Sequence, residues 1–225
     1  MSLRVTELPS PNIDERPSGA VIDTLILHYT GMKSGGEAIA RLRDPEAVVS
    51  SHYVVEEDGR IFRLVPEVLR ARHAGISCWR GREALNDVSI GIEIVNPGHE
   101  WGYRHFPALQ MAAVADLCLE ILGRHPIPAR HVVGHSDVAP DRKQDPGEFF
   151  DWRGLADNGI GLWPAMDGPA EGDPRELLGR IGFRTDLELP VLVTAFQRHW
   201  RPERVDGVAD AGTLARMQGV LAAIG

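Results

Sequence analysis

Two histidines and an aspartate have the types and the placement to hold a catalytic metal. His28 closes an apolar, β-branched run, His135 closes a shorter one, and Asp145 lies in the turn Lys143-Gln144-Asp145-Pro146-Gly147, close enough in sequence for its loop to fold back toward His135. A catalytic zinc site takes three protein ligands and keeps one position for water or substrate, and two imidazoles with one carboxylate are a common set. Strand ends, where a rigid scaffold meets open loops, suit such ligands. Spacing alone leaves the point open, because a lone histidine at a strand end is more often structural. Glu93 is the other unusual residue: in Ser89 to Val95 (SIGIEIV), Ile90, Ile92 and Ile94 face one way while Gly91 and Glu93 face the other. A carboxylate in an apolar strand needs a partner or a task. On the residues alone, the favoured reading of Glu93 is half of a buried salt bridge, and that of Lys143 a solvated loop residue.

The elements that must position these groups can be read from period and punctuation. Val21 to Leu27 (VIDTLIL) predicts a buried strand delivering His28, and His131 to Gly134 a short one delivering His135. Glu37 to Arg43 reads as a short helix that stops before Asp44-Pro45. His52 to Glu56 and Ile61 to Val65 flank Asp58-Gly59 and predict a β-hairpin. Pro107 to Leu122 repeats Leu109, Ala113, Leu117 and Ile121 every four residues, between a proline and Gly123, and predicts a helix with those residues inward. His73 to Asp87 has no period, and a loop of that length in a compact domain is usually functional.

A length of 225 residues allows one α/β core and a small appendage. The Pro-, Gly- and acid-rich stretch PAMDGPAEGDP predicts a division into a domain at 1–165, a linker at 166–174 and a small three-helix domain at 175–225, with Asp210 capping the last helix. The net charge of −8 gives no footprint for a polyanion, so no nucleic-acid partner is expected. No stretch approaches the roughly 20 apolar residues of a membrane span. The start, MSLRVTELPSPNIDERP, has neither an apolar signal region nor a lipid-attachment cysteine, so a cytoplasmic location is expected as written. If Met1-Ser2-Leu3 stands in place of a removed leader, the expectation becomes periplasmic or outer-membrane-associated. Cys78 and Cys118 do not make a disulfide framework, and Cys118, in the apolar helix, reads as packing.

Several motifs in order then carry a resemblance: LILHYT at Leu25 to Thr30, SHYVV at Ser51 to Val55, HAGIS at His73 to Ser77, LNDVSIGIEIVN at Leu85 to Asn96 and GHSDVAPDRKQDPG at Gly134 to Gly147. Together they resemble the type 2 N-acetylmuramoyl-L-alanine amidases, and most of all the AmpD/AmiD branch, from SPNIDERP at Ser10 to Pro17 through GIGLWP at Gly159 to Pro164. The resemblance implies an α/β fold with a mixed central β-sheet flanked by helices, and Zn2+ held by His28, His135 and Asp145. It implies hydrolysis of the amide between N-acetylmuramic acid, or its anhydro form, and L-alanine, with muropeptides as partners and turnover or recycling of peptidoglycan as the setting. Phage members carry a tyrosine where this chain has Ser51 before His52-Tyr53, so the base role falls on Glu93, which would take a proton from water and return it to the departing nitrogen. Lys143 would stand beside the developing oxyanion.

His73 and Asn86 fall in matching motifs and are candidates either for substrate contact or for bracing loops. Trp79, Arg80 and Arg82 could stack on sugar and pair with stem-peptide carboxylates. Asp137 reads as a brace of its own loop, His52 as a core or supporting histidine, and His99, His105, His125, His131 and His199 as surface or structural. AFQRHW at Ala195 to Trp200 and VDGVADAGTL at Val205 to Leu214 resemble the helical peptidoglycan-binding-type domain, with Phe196 and Leu214 as core. The rival from another class is a peptidoglycan-binding protein that kept the fold and lost catalysis. A zinc peptidase acting within the stem peptide is a third reading.

Overall fold

Alternating apolar residues on neighbouring strands build the centre of the molecule, a computed structural model in which residues 3–225 are described. In chain order the elements are β1 (Val5–Glu7), β2 (Ile13–Glu15), β3 (Thr24–Tyr29), α1 (Gly35–Arg43), β4 (Tyr53–Val55), β5 (Ile61–Arg63), β6 (Leu69–Ala71), β7 (Cys78–Trp79), β8 (Arg82–Glu83) and β9 (Ser89–Ile94). They continue with α2 (Gly98–Trp101), α3 (Ala108–Arg124), β10 (Val132–Gly134), α4 (His135–Val138), α5 (Trp152–Asp157), α6 (Pro174–Ile181), α7 (Leu189–Trp200) and α8 (Ala211–Ile224). The main sheet has the order β1-β5-β4-β9-β3-β10, and only the β4/β5 hairpin pairs antiparallel within it. This is the expected mixed sheet flanked by helices.

The two faces of the sheet have different work. Leu25 pairs with Ile90 and Leu27 with Ile92, and this face packs with Val132 against the buried stripe of α3. On the other face, Ile26 and Val133 join Trp79, Leu85 and the inner residues of α6, α7 and α8, among them Leu178, Phe196, Trp200 and Met217. A separate cluster on that side unites Val54 with Leu42 of α1, Leu64 and Val65. Val54, Glu93 and His28 stand in one row across β4, β9 and β3. The row therefore runs from the α1 cluster to the edge of the one beneath the C-terminal helices.

Three expectations change. The strand predicted at Val21 to Leu27 instead begins at Thr24 and runs on through Tyr29, with His28 next to its carboxyl end. The phase of α3 shifts: Leu117 and Ile121 are buried as expected, but Leu109 is 71% exposed and Gln110, Val114 and Cys118 complete the inner stripe. Gln110 faces inward because its Nε2 donates to the carbonyls of Val55 (3.1 Å) and Val95 (2.8 Å), satisfying acceptors at two strand ends. The aperiodic loop 73–87 contains the short β7/β8 hairpin, whose tight turn places Arg80 and Gly81 at positive φ. The hairpin around Gly59, the three C-terminal helices and the Asp210 cap, which accepts from Thr213 N at 2.8 Å, lie where the sequence places them. Residues 167–171 run along α8, with Gly168 N donating to Ala215 O (2.8 Å) and Gln218 Nε2 to Glu171 O (3.0 Å). No helix among the described residues is long and apolar enough to cross a membrane.

Candidate metal centre and active site

β3 carries His28 to the site, while β10 ends at Gly134 and hands His135 over as the first residue of α4. The loop that follows returns, because Ser136 N donates to Asp145 O at 2.9 Å. Three ligand atoms then meet: His28 Nδ1 and His135 Nδ1 are 2.9 Å apart, and Asp145 Oδ2 is 3.1 Å from each. All three residues are buried. Zinc–nitrogen bonds of about 2.0–2.1 Å in a tetrahedron require ligand separations of roughly 3.3 Å, so the cluster has the scale such an ion needs.

The hydrogen bonds behind the imidazoles decide which nitrogen is free. Ser89 commits its hydroxyl proton to Leu85 O at 2.6 Å, so its oxygen accepts from His73 Nε2–H at 3.2 Å. His73 Nδ1 is left to accept from His28 Nε2–H at 3.1 Å, and His28 Nδ1 keeps a lone pair for a metal. His135 Nε2–H donates to Ala74 O at 3.2 Å, which frees its Nδ1 in the same way. The relay depends on Gly91, where any Cβ would collide with the ring of His73. Asn86 Oδ1 accepts from the backbone N–H of His73 (3.1 Å) and Ala74 (2.8 Å), so its part is to fix that loop.

Burial, and then the charge of His135, lower the pKa of His28 to about 4. Burial also pushes His73 well below its ordinary value, reinforced by His28. Both rings are therefore neutral at pH 7, as ligation and the relay require. Burial would raise Asp145, yet His135 and His28 beside it hold its carboxyl below the usual range. Glu93, register partner of His28, goes the other way: burial and the charge of Asp145 raise it well above the ordinary value, opposed by Lys143. Its Oε2 is enclosed and has no hydrogen-bond partner among the described residues, so the salt-bridge alternative finds no partner there for that atom.

Glu93, His135, Lys143 and Asp145 open into a cleft of about 400 Å³. Its walls include Tyr29 and the cations Arg41, Arg72 and Arg142, together with the carboxylate of Glu100. Arg72 is tied to Asp14 through two bonds of 2.8 and 2.7 Å.

Of the contacts proposed for the long loop, His73 lines the cleft, whereas Trp79, Arg80, Arg82 and Asn86 do not. Trp79 is 3% exposed, donates Nε1–H to Arg130 O at 3.1 Å and meets Phe183 edge-on, because the indole fills the core beneath the C-terminal helices. Arg80 is exposed and its backbone N–H binds Gly182 O at 2.7 Å, while Arg82 pairs with Asp23 at 2.7 Å. Neither arginine lines the cleft. Sequence reasoning did not single out Tyr29, Arg41 or Arg142 of the cleft wall, nor two histidines read as surface or structural. His99 lines the cleft with its Nδ1 2.9 Å from Tyr29 Oη, and only the adjacency of Tyr29 to His28 hinted at it. His199 is buried 2.7 Å from Asp137, a contact across 62 positions with no local signal.

Comparison with known proteins gives consistent results. Residues 18–148 match the family described as N-acetylmuramoyl-L-alanine amidase. The chain is 39% identical over 230 residues to N-acetylmuramoyl-L-alanine amidase AmiD of Escherichia coli K12, covering 89% of this chain and 82% of that one. It is 37% identical over 162 residues to 1,6-anhydro-N-acetylmuramyl-L-alanine amidase AmpD of the same organism, covering 64% and 86%. Among solved structures, E. coli AmiD in complex with the substrate anhydro-N-acetylmuramic acid-L-Ala-D-γ-Glu-L-Lys superposes with a TM-score of 0.80 at 37% identity, over 92% of both chains. AmpDH3 of Pseudomonas aeruginosa, in complex with anhydromuramic pentapeptide, gives 0.79 at 31% identity over 92% and 94%.

Proposed function

Because this chain belongs to the N-acetylmuramoyl-L-alanine amidase family, we propose that its cleft hydrolyses the amide between anhydro-N-acetylmuramic acid and L-alanine in peptidoglycan fragments, with zinc held by His28, His135 and Asp145. The observation that carries this is the convergence of three lone-pair atoms at 2.9–3.1 Å beside an enclosed carboxylate oxygen that has no partner among the described residues. The bound peptides of the AmiD and AmpDH3 structures support the substrate class.

When bound, zinc supplies Lewis acidity that brings deprotonation of water to about pH 7. Glu93 accepts the proton of the attacking water as the new C–O bond forms. It then delivers that proton to the L-alanine nitrogen as the C–N bond breaks, leaving a free carboxylate on the muramic side and a free amine on the peptide. A raised pKa suits a group that must both take and give a proton near neutral pH. Lys143 sets a fixed positive charge beside the oxygen on which negative charge develops, where low dielectric strengthens the attraction. The guanidinium groups of Arg41 and Arg142 in the cleft wall suit the carboxylates of a stem peptide. A non-catalytic peptidoglycan binder, the rival reading, has no need to keep a buried carboxylate oxygen without a partner among the described residues, because such an atom costs free energy.

The test is direct: zinc-reconstituted protein given anhydromuramyl-L-Ala-D-γ-Glu-L-Lys should release free tripeptide, and chelation should stop the release. Binding without release contradicts the proposal and favours the rival.

A further inference from the structure

The two halves of the candidate metal loop are each held from behind by one residue of α7. His199 donates Nδ1–H to Asp137 Oδ2 at 2.7 Å, and the same oxygen accepts the backbone N–H of Gly134, also at 2.7 Å. Gly134 immediately precedes His135, and Asp137 lies in the turn that His135 begins. The neighbouring Arg198 reaches Gln144 Oε1 at 3.3 Å and lies 3.8 Å from Glu148, on either side of Asp145. The His199 ring is itself fixed, stacked between Trp152 at 3.8 Å and Trp200 at 3.6 Å. Both partners of the His199–Asp137 contact are almost wholly buried, so a carboxylate that lost this donor would have no water to replace it.

We propose that His199 is a positioning residue for the metal centre: through Asp137 and Gly134 it fixes the backbone that presents His135, making the C-terminal helices part of the active site's support. This rests on the metal reading above.

Outer hydrogen-bond partners of ligands typically change metal affinity by 10–100-fold, and His199 acts one bond further out, so the effect expected is on the order of 10-fold. The test uses the full chain. His199→Phe keeps a ring between the two tryptophans and deletes the donor, whereas His199→Asn keeps a donor near the Nδ1 position. Chelator competition on the metal-free proteins should give about 10-fold weaker zinc binding for His199→Phe and recovery for His199→Asn. Wild-type affinity in a folded His199→Phe protein, or no recovery in His199→Asn, overturns this inference while leaving the metal reading intact. Failure of the wild type to bind zinc overturns both. A measurement on the wild type alone covers the case of a variant that does not fold. In protein carrying nitrogen-labelled histidine, zinc should shift the His199 Nδ1–H signal together with His28 and His135, while exposed His105 stays fixed. An unmoved His199 signal overturns the inference.

Discussion

His28 and Glu93 are register partners on adjacent parallel strands, so an imidazole of the candidate metal site and a carboxylate whose Oε2 has no partner among the described residues leave the same face of the sheet side by side. The separation of the candidate ligand and the proposed base is thereby set by strand spacing and not by a flexible loop, which is how rigid elements hold functional groups in place. The candidate metal loop is less regular, and it is pinned by Ser136 N to Asp145 O and by Gly134 N to Asp137.

Glu93→Gln removes the proton acceptor at nearly constant volume. It should lower kcat by about 10²–10⁴-fold while zinc content stays at the wild-type level. Metal analysis beside steady-state kinetics checks this, and a kcat within a few-fold of wild type would show that another group takes the proton.

Zinc that binds the folded protein and not the unfolded chain must stabilise it by mass action. At free zinc 100 times the dissociation constant the gain is about 2.7 kcal/mol, which for a chain of this size raises Tm by roughly 5–10 °C. Thermal melts with and without zinc should show that shift in the wild type and little of it in His28→Ala.

His52 predicts how stability changes with acid. Its Nδ1 accepts from Gly91 N at 3.0 Å, and burial followed by the charge of Arg16 lowers its pKa from 6.5 to about 3. Above pH 6.5 neither state takes a proton there. Between pH 6.5 and 3 only the unfolded chain does, so this contribution is lost as pH falls, at up to about 1.4 kcal/mol per pH unit. Urea unfolding at pH 7, 6 and 5 should show a shallower decline in His52→Asn than in wild type, and equal slopes contradict the assignment.

Trp79 separates a packing role from a substrate role. Trp79→Ala should destabilise the fold by about 3–5 kcal/mol and leave KM unchanged at temperatures where the variant is folded. A raised KM with unchanged stability would restore the sugar-stacking role.

What could be read from the sequence was what local pattern encodes. The alternation of Ile90, Ile92 and Ile94 set Glu93 on the opposite face, and Asp58-Gly59 marked the hairpin. The His28, His135 and Asp145 set was visible as residue types, while its closure depends on strand order, which brings β10 beside β3 across more than 100 residues. Gln110 was hidden because its inward position follows from two distant carbonyls and not from hydrophobic period. Trp79 was misplaced because an indole in an irregular loop looks the same whether it awaits a sugar or the underside of three later helices. His199 was out of reach for a related reason: its partner Asp137 lies on a separate segment.

The most direct test is to run the reaction in heavy-oxygen water with zinc-loaded protein and anhydromuramyl-L-Ala-D-γ-Glu-L-Lys, and to locate the label by mass spectrometry. Hydrolysis of the muramoyl amide puts the heavy oxygen in the carboxylate of the anhydromuramic product and none in the released tripeptide. Label in a peptide carboxylate, or substrate that stays intact, would contradict the assignment of this cleft as a muramoyl-L-alanine amidase site.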